Sequence, residues 1–186
     1  IQNQSNFIIQ NQVQYCGFFC LLHDTAEIHN LTLNNVTIQG EMSKGDQDNF
    51  VMFSCGVLCG SETNINISNC NITNCKIDIA YSNNTSSILI LIIGGLFGMA
   101  SADANNKGKI TNCNVINTSI KIICNSDILS CYVCGLFAIN PLSESKTQLI
   151  NSSFIGNITF DNTDGINTYP NYINGLCTSL ADINSC

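Results

Sequence analysis

Twelve cysteines in a chain of 186 residues are the densest chemistry in this sequence. Thiols at that density pair as disulfides, ligate metal as thiolates, or sit in a core as small apolar groups. Metal-type spacing is nearly absent. The one CxxC is Cys131-Tyr132-Val133-Cys134, inside an apolar, β-rich run where residues three apart point to opposite faces. Two such sulfurs do not share a metal on an unbroken strand. Disulfides in an oxidising compartment are therefore the reading to test first, with buried core thiols as the plain alternative.

The other reactive groups are thin. His23 and His29 flank Asp24 and Glu27, with no third partner in sight for a metal or an acid–base site. Asp46-Gln47-Asp48-Asn49 and Asp161-Asn162-Thr163-Asp164-Gly165 offer oxygens to Ca²⁺, but neither has the spacing of a twelve-residue EF-hand loop. Solvated loop carboxylates explain both. Glycan-cleaving β-helices need paired carboxylates or a cationic base on one sheet; the strand blocks here hold only Lys76, Asp78 and Lys121. We expect no enzyme, no catalytic residue, no metal and no cofactor.

Six lysines, no arginine and a net charge of −7 remove the clustered cations that a phosphate backbone needs. Nucleic acid is not an expected partner. The most apolar run, Ile88 to Ala100, is 13 residues, short of the ~20 that cross a bilayer as a helix. Asn-X-Ser/Thr sequons occur at Asn3, Asn30, Asn35, Asn66, Asn71, Asn83, Asn84, Asn117, Asn151 and Asn157. Asparagine-rich chains generate some sequons by chance. Asn3, Asn66, Asn71, Asn83 and Asn84 are the glycosylation candidates, and they fit a secreted or cell-surface protein on a eukaryotic secretory route.

The elements that carry these residues repeat. One four-residue block reads Gly17-Phe18-Phe19-Cys20, Gly56-Val57-Leu58-Cys59, Gly95-Leu96-Phe97-Gly98, Gly135-Leu136-Phe137-Ala138 and Gly175-Leu176-Cys177-Thr178, with glycine steps of 39, 39, 40 and 40 residues. A near-constant period of this size marks a stacked architecture. A second block follows, in which apolar residues step by five: Ile28, Leu33, Ile38; Ile67, Ile72, Ile77; Ile110, Val115, Ile120. Neither a helix nor a plain strand has that period. Short strands separated by tight bends do, and Asn suits such bends because it accepts left-handed backbone. The bends align as two asparagine columns: Asn30, Asn69, Asn112, Asn151, and Asn35, Asn74, Asn117. Stacked amides of this kind can form ladders.

The runs entering each glycine, Phe50 to Cys59, Ile88 to Gly98 and Ile128 to Ala138, are apolar on both faces. Either a loop of the same chain or another copy must cover the second face. Polar segments of variable length, Gly40 to Asn49, Tyr81 to Ser87, Ala102 to Lys109, Pro141 to Lys146 and Asp161 to Asn171, separate the blocks.

The expected fold is all-β: one parallel β-helix (β-solenoid) over residues 1–186, of about four to five coils with ~40 residues per repeat. Its repeats run approximately 6–49, 50–86, 87–126, 127–166 and 167–186, the last partial. The alternative is a β-propeller fragment. Both ends of the sequence read as cuts in a longer array. The glycine block followed by I-x-N-C, as in Gly95-Leu96-Phe97-Gly98 with Ile110-Thr111-Asn112-Cys113, resembles the Gly-Leu-x-Gly (GLUG) repeat of large surface and secreted proteins. That resemblance implies a parallel β-solenoid and carries over no catalytic residue. The five-residue cadence is also similar, locally, to pentapeptide-repeat β-helices.

In such a stack, equivalent residues of successive coils lie ~4.8 Å apart, within disulfide range. Three column pairs follow: Cys16 with Cys55, Cys20 with Cys59, and Cys70 with Cys113. Cys124 with Cys131 and Cys177 with Cys186 are sequence neighbours that can close local loops. The functional expectation is a structural or adhesive scaffold, glycosylated and stapled. It self-associates end to end, or laterally through the glycine strands. The alternative is a glycan-binding or glycan-cleaving module on the same fold.

Overall fold

The computed structural model describes residues 2–9, 13–22, 26–44, 50–82, 88–101, 108–125, 130–139, 147–162, 171–177 and 182–184. The chain opens with β1 (Gln2–Ile9). Five strands follow: β2 (Val13–Cys16), β3 (Phe19–Leu22), β4 (Glu27–His29), β5 (Thr32–Asn34) and β6 (Thr37–Lys44). The order recurs as β7 (Phe50–Gly56), β8 (Cys59–Thr63), β9 (Asn66–Ser68), β10 (Asn71–Thr73) and β11 (Lys76–Ser82). On the next pass the last two strands fuse: β12 (Ile88–Gly94), β13 (Phe97–Ser101), β14 (Lys109–Thr111) and β15 (Asn114–Asn125). Then come β16 (Ser130–Cys134), β17 (Phe137–Ile139), β18 (Gln148–Ile150) and β19 (Ser153–Asn162). The last described strands are β20 (Asn171–Asn174) and β21 (Asp182–Asn184).

Each strand pairs with its counterpart one pass away, and the result is four sheets. Sheet A joins β1, β6, β11, β15 and β19 with β5 and β10; sheet B is β2-β7-β12-β16-β20; sheet C is β17-β13-β8-β3; sheet D is β21-β18-β14-β9-β4. Every pairing is parallel. Propeller blades belong to the antiparallel architectures, so the alternative fold is set aside. The molecule is all-β, with parallel strands in stacked sheets of the β-helix kind.

The five-residue cadence has a direct cause. Ile67, Cys70, Ile72, Cys75 and Ile77 are buried, whereas Asn66, Asn69, Asn74 and Lys76 are exposed. Asn69 and Asn74 adopt positive φ, both 54°. Each left-handed residue bends the strand and restarts the in–out alternation. A unit thus reads in, out, bend, in, out, and inward residues recur every five.

The glycine strands work differently. In sheet B, Phe53, Leu91 and Cys131 face the main core. Ile90, Ile92 and Cys134 face a second core with Met99 and Ala138, flanked by Tyr15, Met52 and Tyr132. The two-residue bend at Val57-Leu58, Gly95-Leu96 and Gly135-Leu136 folds sheet C back over the outer face of sheet B. The second apolar face is therefore covered by the next strand of the same chain, which is neither a loop nor another copy. Lateral association through this face loses its physical basis, because its apolar side chains are already buried.

Small residues allow that fold-back. A Cβ on Gly60 would lie 2.5 Å from the Cys16 amide nitrogen, and one on Gly98 would lie 2.6 Å from that of Cys55. Ser54 Oγ also donates to the Gly60 carbonyl at 2.5 Å, which ties sheet B to sheet C.

Register corrects the glycine alignment. Gly56 pairs with Gly94, and Cys59 pairs with Phe97. Val57 thus takes the place beside Gly95, one residue away from the equivalence that the four-residue block implies. The bend tolerates Val or Gly at that place, so the glycine pattern alone misplaces the column.

Candidate functional site

The cysteine columns follow from this register. Cys16 lies opposite Cys55 at the ends of β2 and β7, and the two side chains are hydrogen-bonded. That bond, then burial, raises the Cys55 thiol far above the ordinary thiol range, and the same bond lowers Cys16. Asn71 pairs with Asn114, which sets Cys70 beside Cys113, and both are fully buried. A hydrogen bond between their side chains lowers Cys70 and raises Cys113. Each thiol also lies 3.3 Å from a carbonyl two residues earlier, Ser68 and Thr111 respectively.

The third pair does not form a column. Phe19, not Cys20, pairs with Cys59. Cys20 is exposed and Cys59 is buried, so the two sulfurs point to opposite faces of sheet C. The bend of the first pass is one residue shorter (Gly17-Phe18, then β3), and this slips Cys20 out of line. Cys75 is buried beneath the second asparagine column, where its sulfur accepts from the Val36 amide at 3.4 Å. Cys186 lies outside the described residues.

All seven column asparagines have positive φ, between 47° and 58°. Their amides connect successive passes: Asn112 Nδ2 donates to Asn69 Oδ1 at 3.1 Å, and Asn117 Nδ2 to Asn74 Oδ1 at 3.4 Å. Asn74 donates in turn to Asn34 Oδ1 at 3.0 Å, not to Asn35. A third line, missed in the sequence, joins Asn114 Nδ2 to Asn71 Oδ1 at 3.2 Å and Ser153 Oγ to Asn114 Oδ1 at 2.7 Å. Asn64, φ 55°, is a further left-handed residue outside both columns. The sequence signal for it was an Asn directly before the alternating Ile65-Asn66-Ile67.

Among the glycosylation candidates, Asn66 is exposed on β9, and Asn71 is half-buried in the third amide line. Asn3 lies on β1 opposite Ile38. Asn83 and Asn84 lie outside the described residues, as do His23, Asp24 and the Asp46–Asn49 segment.

One constellation was not legible beforehand. His29 Nδ1 lies 2.5 Å from Ser68 Oγ, and His29 Nε2 lies 3.2 Å from Glu27 Oε2. A hydroxyl, an imidazole and a carboxylate in sequence have the composition of a hydrolytic triad. The setting does not: the His29 and Glu27 side chains are 46% and 60% exposed, and the adjacent Asn69 amide is occupied by the Thr111 carbonyl. Nothing desolvates the group or offers an oxyanion two amides. An open hollow of about 380 Å³ lies elsewhere, lined by Asn117, Thr118, Ser119, Ile155, Gly156 and Asn157. It contains no ionisable side chain. Among the described residues no three His, Cys, Asp or Glu side chains gather around a metal-sized site, and no helix is long and apolar enough to cross a membrane.

Comparison with known proteins returns no match among family models, curated proteins or solved structures.

Proposed function

We propose that this chain is a structural or adhesive scaffold of the cell surface or extracellular space, made on a eukaryotic secretory route. In this reading its parallel stack, of about four to five coils with ~40 residues each, builds rods, fibrils or a coat by end-to-end addition. The observation that carries it is where the apolar surface is bare. Phe18, Phe19, Leu21 and Ile173 are exposed by 44, 37, 39 and 44%. Their column mates are buried: Val57 beside Phe18, Cys59, Phe97 and Phe137 in line with Phe19, and Cys55, Ile93 and Val133 in line with Ile173. Bare apolar positions therefore sit on the outermost strands, at opposite ends of the columns. Unpaired edges of this kind template addition of another strand.

Cross-coil disulfides at Cys16–Cys55 and Cys70–Cys113 belong to the same proposal, as do N-glycans on exposed sequons such as Asn66. The likeness to Gly-Leu-x-Gly repeat surface proteins points the same way. A glycan-binding module would want stacked aromatic rings at the surface. Phe97 and Phe137 do stack, at 4.9 Å, but inside the core. Sedimentation velocity over a hundredfold range of concentration tests the reading. Growing assemblies support it, and a monomer at every concentration overturns it.

A further inference from the structure

We propose that Cys124 and Cys131 are joined as a disulfide that closes the corner between sheets A and B. The proposal rests on the secretory reading above, since such bonds persist in oxidising compartments.

Cys124 is the penultimate residue of β15 and Cys131 the second of β16. Both are fully buried and belong to one core. Register shows what these positions do elsewhere. One pass earlier, Tyr81 stands in line with Cys124 and Leu91 with Cys131, and both are buried in that core. A phenol ring and an isobutyl group there give way, on the next pass, to two thiols that face the same interior. Close packing leaves little void at such a corner, so the smaller pair must draw together to fill it.

The CxxC partner is excluded by geometry. Cys134 points into the second core with Ile92, Met99 and Ala138, on the opposite face of β16 from Cys131. Burial pushes the Cys124 thiol up to about 12 and Cys131 well above the ordinary range, with Cys124 and Cys134 adding to the latter. Neither thiol ionises readily once the corner is closed, so the bond forms while the chain is folding. The oxidant is a protein or small-molecule disulfide. One thiolate attacks it and releases one thiol; the second cysteine thiolate then displaces the other. Two cysteine thiols and one external disulfide thus yield the Cys124–Cys131 bond and two external thiols.

The test uses the whole chain made in a secretory host, blocked with iodoacetamide without reduction, and cut with trypsin after Lys121 and Lys146. Peptide 122–146 should carry one carbamidomethyl group, on Cys134, and be two hydrogens lighter than its dithiol form. Cleavage before Asp127 should then leave its two halves linked. Cys134→Ser should retain the link, and Cys124→Ser should leave Cys131 alkylated. Three carbamidomethyl groups on this peptide, or a bond that includes Cys134, would overturn the proposal. If that happens while Cys70 and Cys113 remain linked, the clip alone fails. Alkylation of every cysteine in the chain would remove the secretory reading as well.

Discussion

Asn112 shows how much one side chain does here. It holds φ at 52°, its amide nitrogen donates to the Ile150 carbonyl, and its side chain reaches Asn69. Alanine at such a φ costs about 1–2 kcal/mol, and the lost amide bond adds to that. Asn112→Ala should therefore lower denaturant stability by about 2 kcal/mol. Asn112→Gly should lower it less, because glycine accepts the backbone but not the ladder. Equal losses would mean that φ is not the cause. The Cys70–Cys113 pair makes a second prediction, for the reduced protein. Folded, one proton of the pair leaves below the ordinary thiol range and the other is held above it; unfolded, both leave near 8.5. Below the ordinary range the unfolded chain thus binds more protons, so stability should rise with pH toward ~8.5 and fall beyond it. Urea midpoints between pH 6 and 10 should peak accordingly, and Cys70→Ser should flatten the peak. The left-handed asparagines were legible because Asn before an apolar residue recurs at fixed spacing. The Glu27–His29–Ser68 contact was not, since Ser68 lies 39 residues from His29 and nothing local relates them.

The element that most needed coordinates is the fold-back of sheet C on sheet B. Its sequence signal was the two-faced apolar strand, which says that something covers it but not what. Small residues at Gly60, Gly98 and Ala138 mark the cover, yet they fall outside or at the edge of the four-residue block that drew attention first. Gly98→Val should prevent close contact, because any Cβ meets the Cys55 backbone. We expect a loss above 3 kcal/mol or no soluble fold. Ala138→Gly should cost roughly 1 kcal/mol or less. Differential scanning calorimetry of the two variants separates a tight sheet contact from a loose one. The one-residue slip of Cys20 belongs at this scale too. Column reasoning holds only where bends have equal length, and the first bend is shorter than the second.

For the whole molecule, period and composition were enough to read a parallel stack, because each pass buries its apolar face only on its neighbours. They were not enough to locate the surface it presents. The glycine strands looked like a lateral contact, and their second face turned out to be buried within the chain. What remains bare is at the ends. Phe18 and Phe19 pack edge to face at 5.0 Å on an edge strand, where inner passes would be covered. The double substitution Phe18→Ser with Phe19→Ser should leave the fold intact and weaken association at least tenfold. Negative-stain microscopy of the concentrated protein is the most direct measurement. Unbranched rods of one width, with lengths in multiples of a single molecule and shortened in the double variant, are the predicted result. Compact particles of one size at every concentration, alike in both proteins, would contradict it.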